Sequence, residues 1–235
     1  MSSTHLMKKF LRASAIRIAE LKEDRTSLRP DLAEVRYSFS VLSHPVRFFR
    51  RVKDEGKGSA RFAALLWVFL FLLSVSGYFL RGYAINYSRP EDFNIFLQFA
   101  SSGGLILAFC LVNWALCTLL DGKGSLREIW LAVCTGFLPR AVFGIPLLLI
   151  SNVVGLEEQA LFTMADSFVT LWCCLLVFIG LMIVHEYSFG KTLFSCLLTA
   201  LGIAAAVFLA MLLASMIGQL AAFIKTVGQE AMSRG

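Results

Sequence analysis

The chain has 235 residues, of which 57% are hydrophobic and 16% charged, and its net charge is +6. Soluble domains contain about 45–50% apolar residues, so this composition excludes a soluble enzyme and indicates an integral membrane protein. Fourteen of the 22 Lys and Arg residues lie in residues 1–61. The positive charge therefore belongs to the N-terminal region, and we expect no nucleic-acid partner.

Residues 1–58 are predicted to be a cytoplasmic N-terminal region with amphipathic helices. In residues 1–23, apolar side chains share one helical face and several basic side chains lie away from it. Such a helix suits an anionic membrane surface, and a solvated or protein-bound helix fits the pattern equally well. The sequence leaves open whether this helix binds membrane or protein.

Residues 43–55 predict a second short helix, with Pro45 in its first turn. Its expected apolar stripe consists of Leu42, Val46, Phe49 and Val52. Its arginines can reach lipid phosphates. We therefore interpret it as an interfacial helix that leads into the membrane domain.

Five apolar stretches follow, and each is long enough to cross a hydrocarbon core, which takes about 20 helical residues. They lie at Phe62–Leu80, within Phe93–Leu120, at about Leu126–Ile150, at about Ala160–Val184 and within Thr192–Ile224. We therefore predict an all-α, polytopic membrane protein with a five-span domain at residues 59–224 and an extracytoplasmic tail at residues 225–235.

Basic residues in the loops orient the spans. With the N-terminus in the cytoplasm, the cytoplasmic side carries 17 Lys and Arg residues and the outer side carries 4. Cytoplasmic loops of membrane proteins carry the excess of basic residues. We therefore predict a cytoplasmic N-terminus and a C-terminus outside.

A short Gly-Lys segment precedes the first, third and fifth stretches. A phosphate-binding loop would need G-x-x-x-x-G-K-[ST] between a strand and a helix, and the chain lacks that pattern. Ser125 and Glu128 instead have the spacing of a helix capping box, and Ser59 and Thr192 are expected to cap the other two helices. We prefer capping and anchoring to ligand binding. The expected interfacial anchors beside lipid headgroups are Lys57, Lys123 and Lys191.

Catalytic signatures are missing from the chain. His185 and Glu186 begin an H-E-x-x-H pattern, but position 189 is Phe, so the second zinc ligand is absent. No G-x-S-x-G nucleophile motif occurs. We predict no enzymatic activity, no catalytic residues, no metal and no cofactor, and we interpret His185 as the cytoplasmic end of the fourth span.

Two charged residues lie inside the apolar stretches. Arg140 is about 21 Å from the start of the third span, and Asp166 is about 9 Å from the start of the fourth, at a rise of about 1.5 Å per residue. In a hydrocarbon core about 30 Å thick, antiparallel spans would bring them to the same depth. Because a charge in hydrocarbon is costly and usually paired, we predict a structural ion pair. A polar transport site is the alternative.

Small residues recur every four positions along the fifth stretch. Small residues let membrane helices approach closely, so this ladder predicts a packing face. Its members are Gly202, Ala206, Ala210, Ala214 and Gly218.

Several segments together resemble the Yip family of Ypt/Rab-interacting five-span membrane proteins, in its bacterial form. They are Ser43–Phe49, Asn113–Ser125, Gly136–Pro139 and His185–Lys191, within a resemblance that covers roughly residues 38–218. The resemblance implies a five-helix protein of a bacterial cytoplasmic membrane.

On the resemblance and the missing signatures together, we expect a scaffold or accessory subunit for other membrane proteins or for membrane organisation. The alternative is a small transporter or channel component that uses the region of Arg140 and Asp166. The expected partners are membrane lipids and other membrane proteins, a transporter among them, or a second copy of the chain.

Overall fold

The computed structural model describes residues 32–56, 58–86 and 89–233, and all regular secondary structure in these ranges is helical. Five helices are long and apolar enough to cross a membrane, which confirms the all-α, polytopic prediction. The spans are Ala60–Leu80, Ile95–Leu119, Leu126–Ile150, Gln159–His185 and Phe189–Thr226. The helix predicted in residues 1–23 lies outside the described residues.

Two short helices precede the spans, α1 at Leu32–Ser38 and α2 at Pro45–Asp54, with a 3-10 turn between them. Helix α2 packs against the third and fourth spans. The predicted apolar stripe is wrong in one position, because Phe48 is buried and Val46 is 44% exposed. Phe48 and Phe49 both face inward because α2 packs against the ends of the spans. The sequence of α2 alone does not predict this contact.

Two of the three predicted helix caps are confirmed. Ser59 accepts a hydrogen bond from the backbone of the first span, and Ser125 and Glu128 form both bonds of a capping box at the start of the third. The Thr192 cap is wrong because the fifth helix already begins at Phe189, and the Thr192 hydroxyl donates to the Ser188 carbonyl at 2.9 Å.

The third span lies at the centre of the bundle and contacts the first, second and fourth spans. It consists of two helices, Leu126–Gly136 and Leu138–Ile150, which join at Phe137. A Cβ added at Gly136 would lie 2.6 Å from Val177 Cγ2 of the fourth span. The absence of a side chain there allows the two central spans to pack closely.

The second span contains one π-helical turn, at Ala100–Gly104. The indole nitrogen of Trp67 in the first span donates a hydrogen bond to the Gly103 carbonyl at 3.0 Å. A π turn displaces backbone carbonyls from the regular α-helical pattern, and the indole satisfies one of them. This bond ties the first span to the second.

The fifth helix extends from Phe189 to Ser233, so residues 225–233 of the predicted tail continue the helix. It contacts the second and fourth spans near its start. Only 6% of the most apolar stretch of this span is buried in the chain, compared with 39% for the third span. Most of the fifth helix therefore has no neighbour among the described residues of the other spans.

Candidate functional site

The loop between the second and third spans covers one end of the bundle, which we call the Lys123 face. Lys123 Nζ lies 2.7 Å from Glu186 Oε2, and Lys53 Nζ donates to the Lys123 carbonyl at 2.9 Å. The hydrogen bond from Lys123 holds the pKa of Glu186 below its usual value. The loop is thus tied to α2 and to the end of the fourth span.

Of the two other predicted anchors, Lys191 and Lys57, only Lys191 lies within the described residues. Lys191 Nζ lies 4.4 Å from the centre of the Tyr187 ring, a cation–π distance. Lys57 lies outside the described residues. Contact of the lysines with lipid headgroups stays a prediction.

The two glycines of the loop lie directly against the fourth span. A Cβ added at Gly124 would lie 2.7 Å from Val184 Cγ1 and 2.8 Å from His185 Nδ1. A Cβ added at Gly122 would lie 2.6 Å from Tyr187 Oη. The Gly-Lys-Gly sequence is therefore required by close packing as well as by the charge of its lysine.

A buried chain of polar side chains joins three spans beneath this loop. His185 Nε2 lies 3.1 Å from Asn113 Oδ1, Asn113 Nδ2 donates to Thr199 Oγ1 at 3.0 Å, and Thr199 donates to the Ser195 carbonyl at 2.8 Å. Cys117 Sγ lies 3.0 Å from Ser195 Oγ. These hydrogen bonds connect the fourth, second and fifth spans and fix their relative positions.

Sequence reasoning correctly placed His185 at the end of the fourth span but missed its partners. Two signals could have found them. Asn113 is an amide within a long charge-free run, and Ser195 and Thr199 are four residues apart on one helical face. Polar side chains within membrane helices usually bond across helices.

The end of the fourth span is closed by a sharp turn. Glu186 adopts a left-handed conformation with φ 57°, and the Tyr187 N–H bonds back to the Met182 carbonyl at 3.0 Å. Tyr187 Oη donates to the Leu120 carbonyl at 3.1 Å. Burial raises the pKa of Tyr187 to about 12, so its hydroxyl stays protonated and remains a donor at neutral pH.

The structure brings Arg140 and Asp166 together. Nη1 of Arg140 donates to Oδ1 of Asp166, and the two side chains are 30% and 28% exposed. They join the second half of the third span to the fourth span. The remaining nitrogens of the guanidinium are not engaged by this contact.

The ladder on the fifth span has one contact within the chain. A Cβ added at Gly202 would lie 2.8 Å from Val112 Cγ1 of the second span, whereas nothing lies within 4 Å of one added at Gly218. Ala206, Ala210 and Ala214 are exposed. Beyond Gly202, the packing face that the ladder predicts therefore has no partner in the part of the chain that the structure describes.

Within the described ranges, no group of three His, Cys, Asp or Glu side chains could hold a metal ion. The described residues instead show structural hydrogen bonds between spans, the ion pair of Arg140 with Asp166, and a fifth helix that extends beyond its contacts with the other described spans. Together with the five spans, they define an α-helical multi-pass membrane protein.

The chain belongs to the Yip1-domain family, since the model of that family matches residues 39–226. The matched region begins just before α2 and ends with the fifth span, so it includes the polar chain, the ion pair and the ladder. No curated protein and no solved structure matches the chain.

Proposed function

We propose that this protein is a non-enzymatic scaffold or accessory subunit that binds other membrane proteins through its fifth span. The observation that carries the proposal is the face of that span formed by the ladder residues, which we call the small-residue face. It continues the face of the same helix that packs against the bundle near its start. We further propose that it lies in a bacterial cytoplasmic membrane, as the resemblance to bacterial Yip proteins implies, and that its N-terminus is inside, as the 17-to-4 asymmetry in basic residues indicates.

Near the start of the fifth helix, one face contacts the bundle. Thr192, Ser195 and Thr199 are buried on this face, and Gly202 follows them against the second span. At 100° per residue, Ala210 lies within about 20° of Thr199 around the helix axis. The ladder thus continues the packed face of the fifth helix beyond its last contact with the described residues of the bundle.

Exposed apolar residues alone would not support a partner, because lipid tails are as apolar as leucine. Helix association in membranes depends on close packing, and small residues provide it. Leucine, methionine and phenylalanine flank the ladder, and its members Ala206, Ala210 and Ala214 lie within about 80° of one another on one face. A second helix is the occupant that this alignment suits best.

The test is quantitative co-purification in mild detergent. Ala210→Leu places a bulky side chain on the small-residue face. Ala205→Leu makes the same chemical change about 140° around the helix and is the matched control. We expect the partners recovered with wild type and Ala205→Leu to be lost from Ala210→Leu, while the purified variants unfold at the same temperature.

A second tagged copy of the chain, included in the same experiment, reports self-association. Loss of that copy alone from Ala210→Leu would identify the partner as a second copy of the protein. Equal recovery of every protein with wild type and both variants would refute docking through this face.

A cavity beside Arg140 favours one other function, a small transporter or channel component. Its volume is about 530 Å³, within the usual range of ligand sites. A transporter requires a path that opens alternately to each side. Solute flux in proteoliposomes that contain the purified protein alone would support this candidate over the scaffold.

A further inference from the structure

The cavity lies between the first, second and third spans, towards the end of the bundle opposite the Lys123 face. The end of the first span, the π turn of the second and the second half of the third contribute to its wall. Two of the lining residues are arginines, Arg81 and Arg140. The described residues that line this cavity include no Asp or Glu.

Arg81 is the more exceptional of the two arginines. Its Nε is buried and has no hydrogen-bond partner among the described residues. A buried donor on a charged group is expensive to leave unpaired. Arg140 forms an ion pair with Asp166. Both arginines and Asp166 also line a small neighbouring void of about 20 Å³. The three charged groups leave one net positive charge beside the cavity.

Among the serine hydroxyls of the wall, the one at Ser74 has a proton that is free to donate. Gln98 Nε2 donates to Ser74 Oγ at 2.6 Å, so the Ser74 hydroxyl proton remains free to donate to another group. Ser101 and Ser102 line the cavity beside Gln98, and both hydroxyls donate to the Gln98 carbonyl. The wall thus combines Arg81, whose Nε has no partner among the described residues, with the free hydroxyl proton of Ser74.

We propose that this cavity binds a phosphate group, either on the headgroup of an anionic phospholipid or as a free phosphate ion. A guanidinium presents several N–H donors in a planar fork that matches phosphate oxygens. Arg81 directly follows Leu80, the last residue of the first span, and we expect basic residues at such a position to lie near lipid headgroups, within reach of either source. The site is independent of the small-residue face of the fifth span.

The experiment measures thermal unfolding of the full chain in detergent with each probe added separately. The probes are inorganic phosphate, phosphatidylglycerol and phosphatidylcholine, with sodium chloride at equal ionic strength as the reference. A ligand at about 100 times its Kd should raise the unfolding temperature by about 5–10 °C. A rise with inorganic phosphate identifies a free ion as sufficient, and a rise with phosphatidylglycerol alone identifies a lipid headgroup.

Arg81→Gln should abolish the rise, and Arg81→Lys should retain part of it. Arg89→Gln, which removes an exposed arginine from the same end of the bundle, should respond like wild type. Gly77→Leu gives a second variant in case Arg81→Gln does not fold. Gly77 lines the cavity and has nothing within 4 Å of an added Cβ, so a leucine there fills the site while leaving both arginines in place.

The proposal is overturned if no phosphate-containing probe stabilises wild type more than chloride does. It is also overturned if phosphatidylcholine stabilises wild type as strongly as phosphatidylglycerol while inorganic phosphate has no effect. An undiminished rise in a folded Arg81→Gln or Gly77→Leu variant would place the binding elsewhere and contradict the site.

Discussion

The contact between Arg140 and Asp166 predicts a strong loss of stability when one partner is neutralised. Asp166→Asn keeps the shape of the side chain and removes its charge, which leaves the guanidinium inside the membrane domain without its carboxylate. Breaking a fully buried pair costs 3–5 kcal/mol. Because 30% and 28% of the two side chains remain exposed, we expect the lower end, about 3 kcal/mol.

The predicted loss of stability in Asp166→Asn comes mainly from the charge of Arg140, which is left without a partner, and not only from the loss of an attractive contact. Replacing both partners with apolar residues should therefore recover most of the stability, since an apolar pair can substitute for a buried ion pair. The test variant is Arg140→Met combined with Asp166→Leu. Exchanging the charges, with Arg140→Asp and Asp166→Arg, should recover only part of the lost stability, because the exchanged pair does not keep the original geometry.

The assay is a double-mutant cycle on thermal unfolding in detergent. Glu157→Gln, which neutralises an exposed carboxylate in the loop before the fourth span, is the control and should change stability little. The cycle compares Asp166→Leu, Arg140→Met and the variant that combines them, and additive losses would refute coupling between the two residues. A cavity filled with water around Arg140 would then explain how the charge is tolerated.

Three further predictions concern the Lys123 face and the topology. Gly124→Ala should lower stability by about 1–3 kcal/mol through overpacking against the fourth span. The control Gly190→Ala should not lower it, because an added Cβ there meets nothing within 4 Å. Equal unfolding temperatures of the two variants would refute the packing role of the loop. Because the pKa of Glu186 is lowered in the folded state, its pair with Lys123 stabilises the fold above the usual glutamate pKa of 4.5, and this stabilisation is lost as the pH falls through the lowered pKa. The difference in unfolding temperature between wild type and Glu186→Gln should therefore be present at pH 7 and vanish in acid. A reporter that is active only outside the cytoplasm should be active when fused after Gly235 and silent when inserted at Gly124, and the reverse pattern would contradict the predicted orientation.

The sequence alone predicts the spans well, because crossing a membrane imposes length and hydropathy on each helix directly. The outcome of α2 shows the limit of this approach. Its ten residues predict an amphipathic helix, but whether Val46 or Phe48 faces inward depends on the contact with the third and fourth spans. A membrane surface and a protein surface impose the same apolar pattern on a short helix.

The polar chain at His185 illustrates a second limit. The sequence shows each of its members as a polar residue in an apolar run but not which of them bond to one another. Only the crossing of the fourth, second and fifth spans brings His185, Asn113 and Thr199 together. Local sequence indicates only that the glycines at 122 and 124 belong, with their lysine, to a helix-entry segment. Their closeness to Val184 and His185 depends on where the loop folds over the bundle, which local sequence does not specify.

Docking through the small-residue face of the fifth span is tested most directly by photo-crosslinking in the native membrane. A photoreactive amino acid is placed in turn at positions 206, 210 and 214, and at positions 208 and 212 on the opposite side of the helix. We predict protein adducts from the first set and lipid adducts alone from the second. Protein adducts of equal yield around the helix, or none at any position, would contradict the proposed docking face.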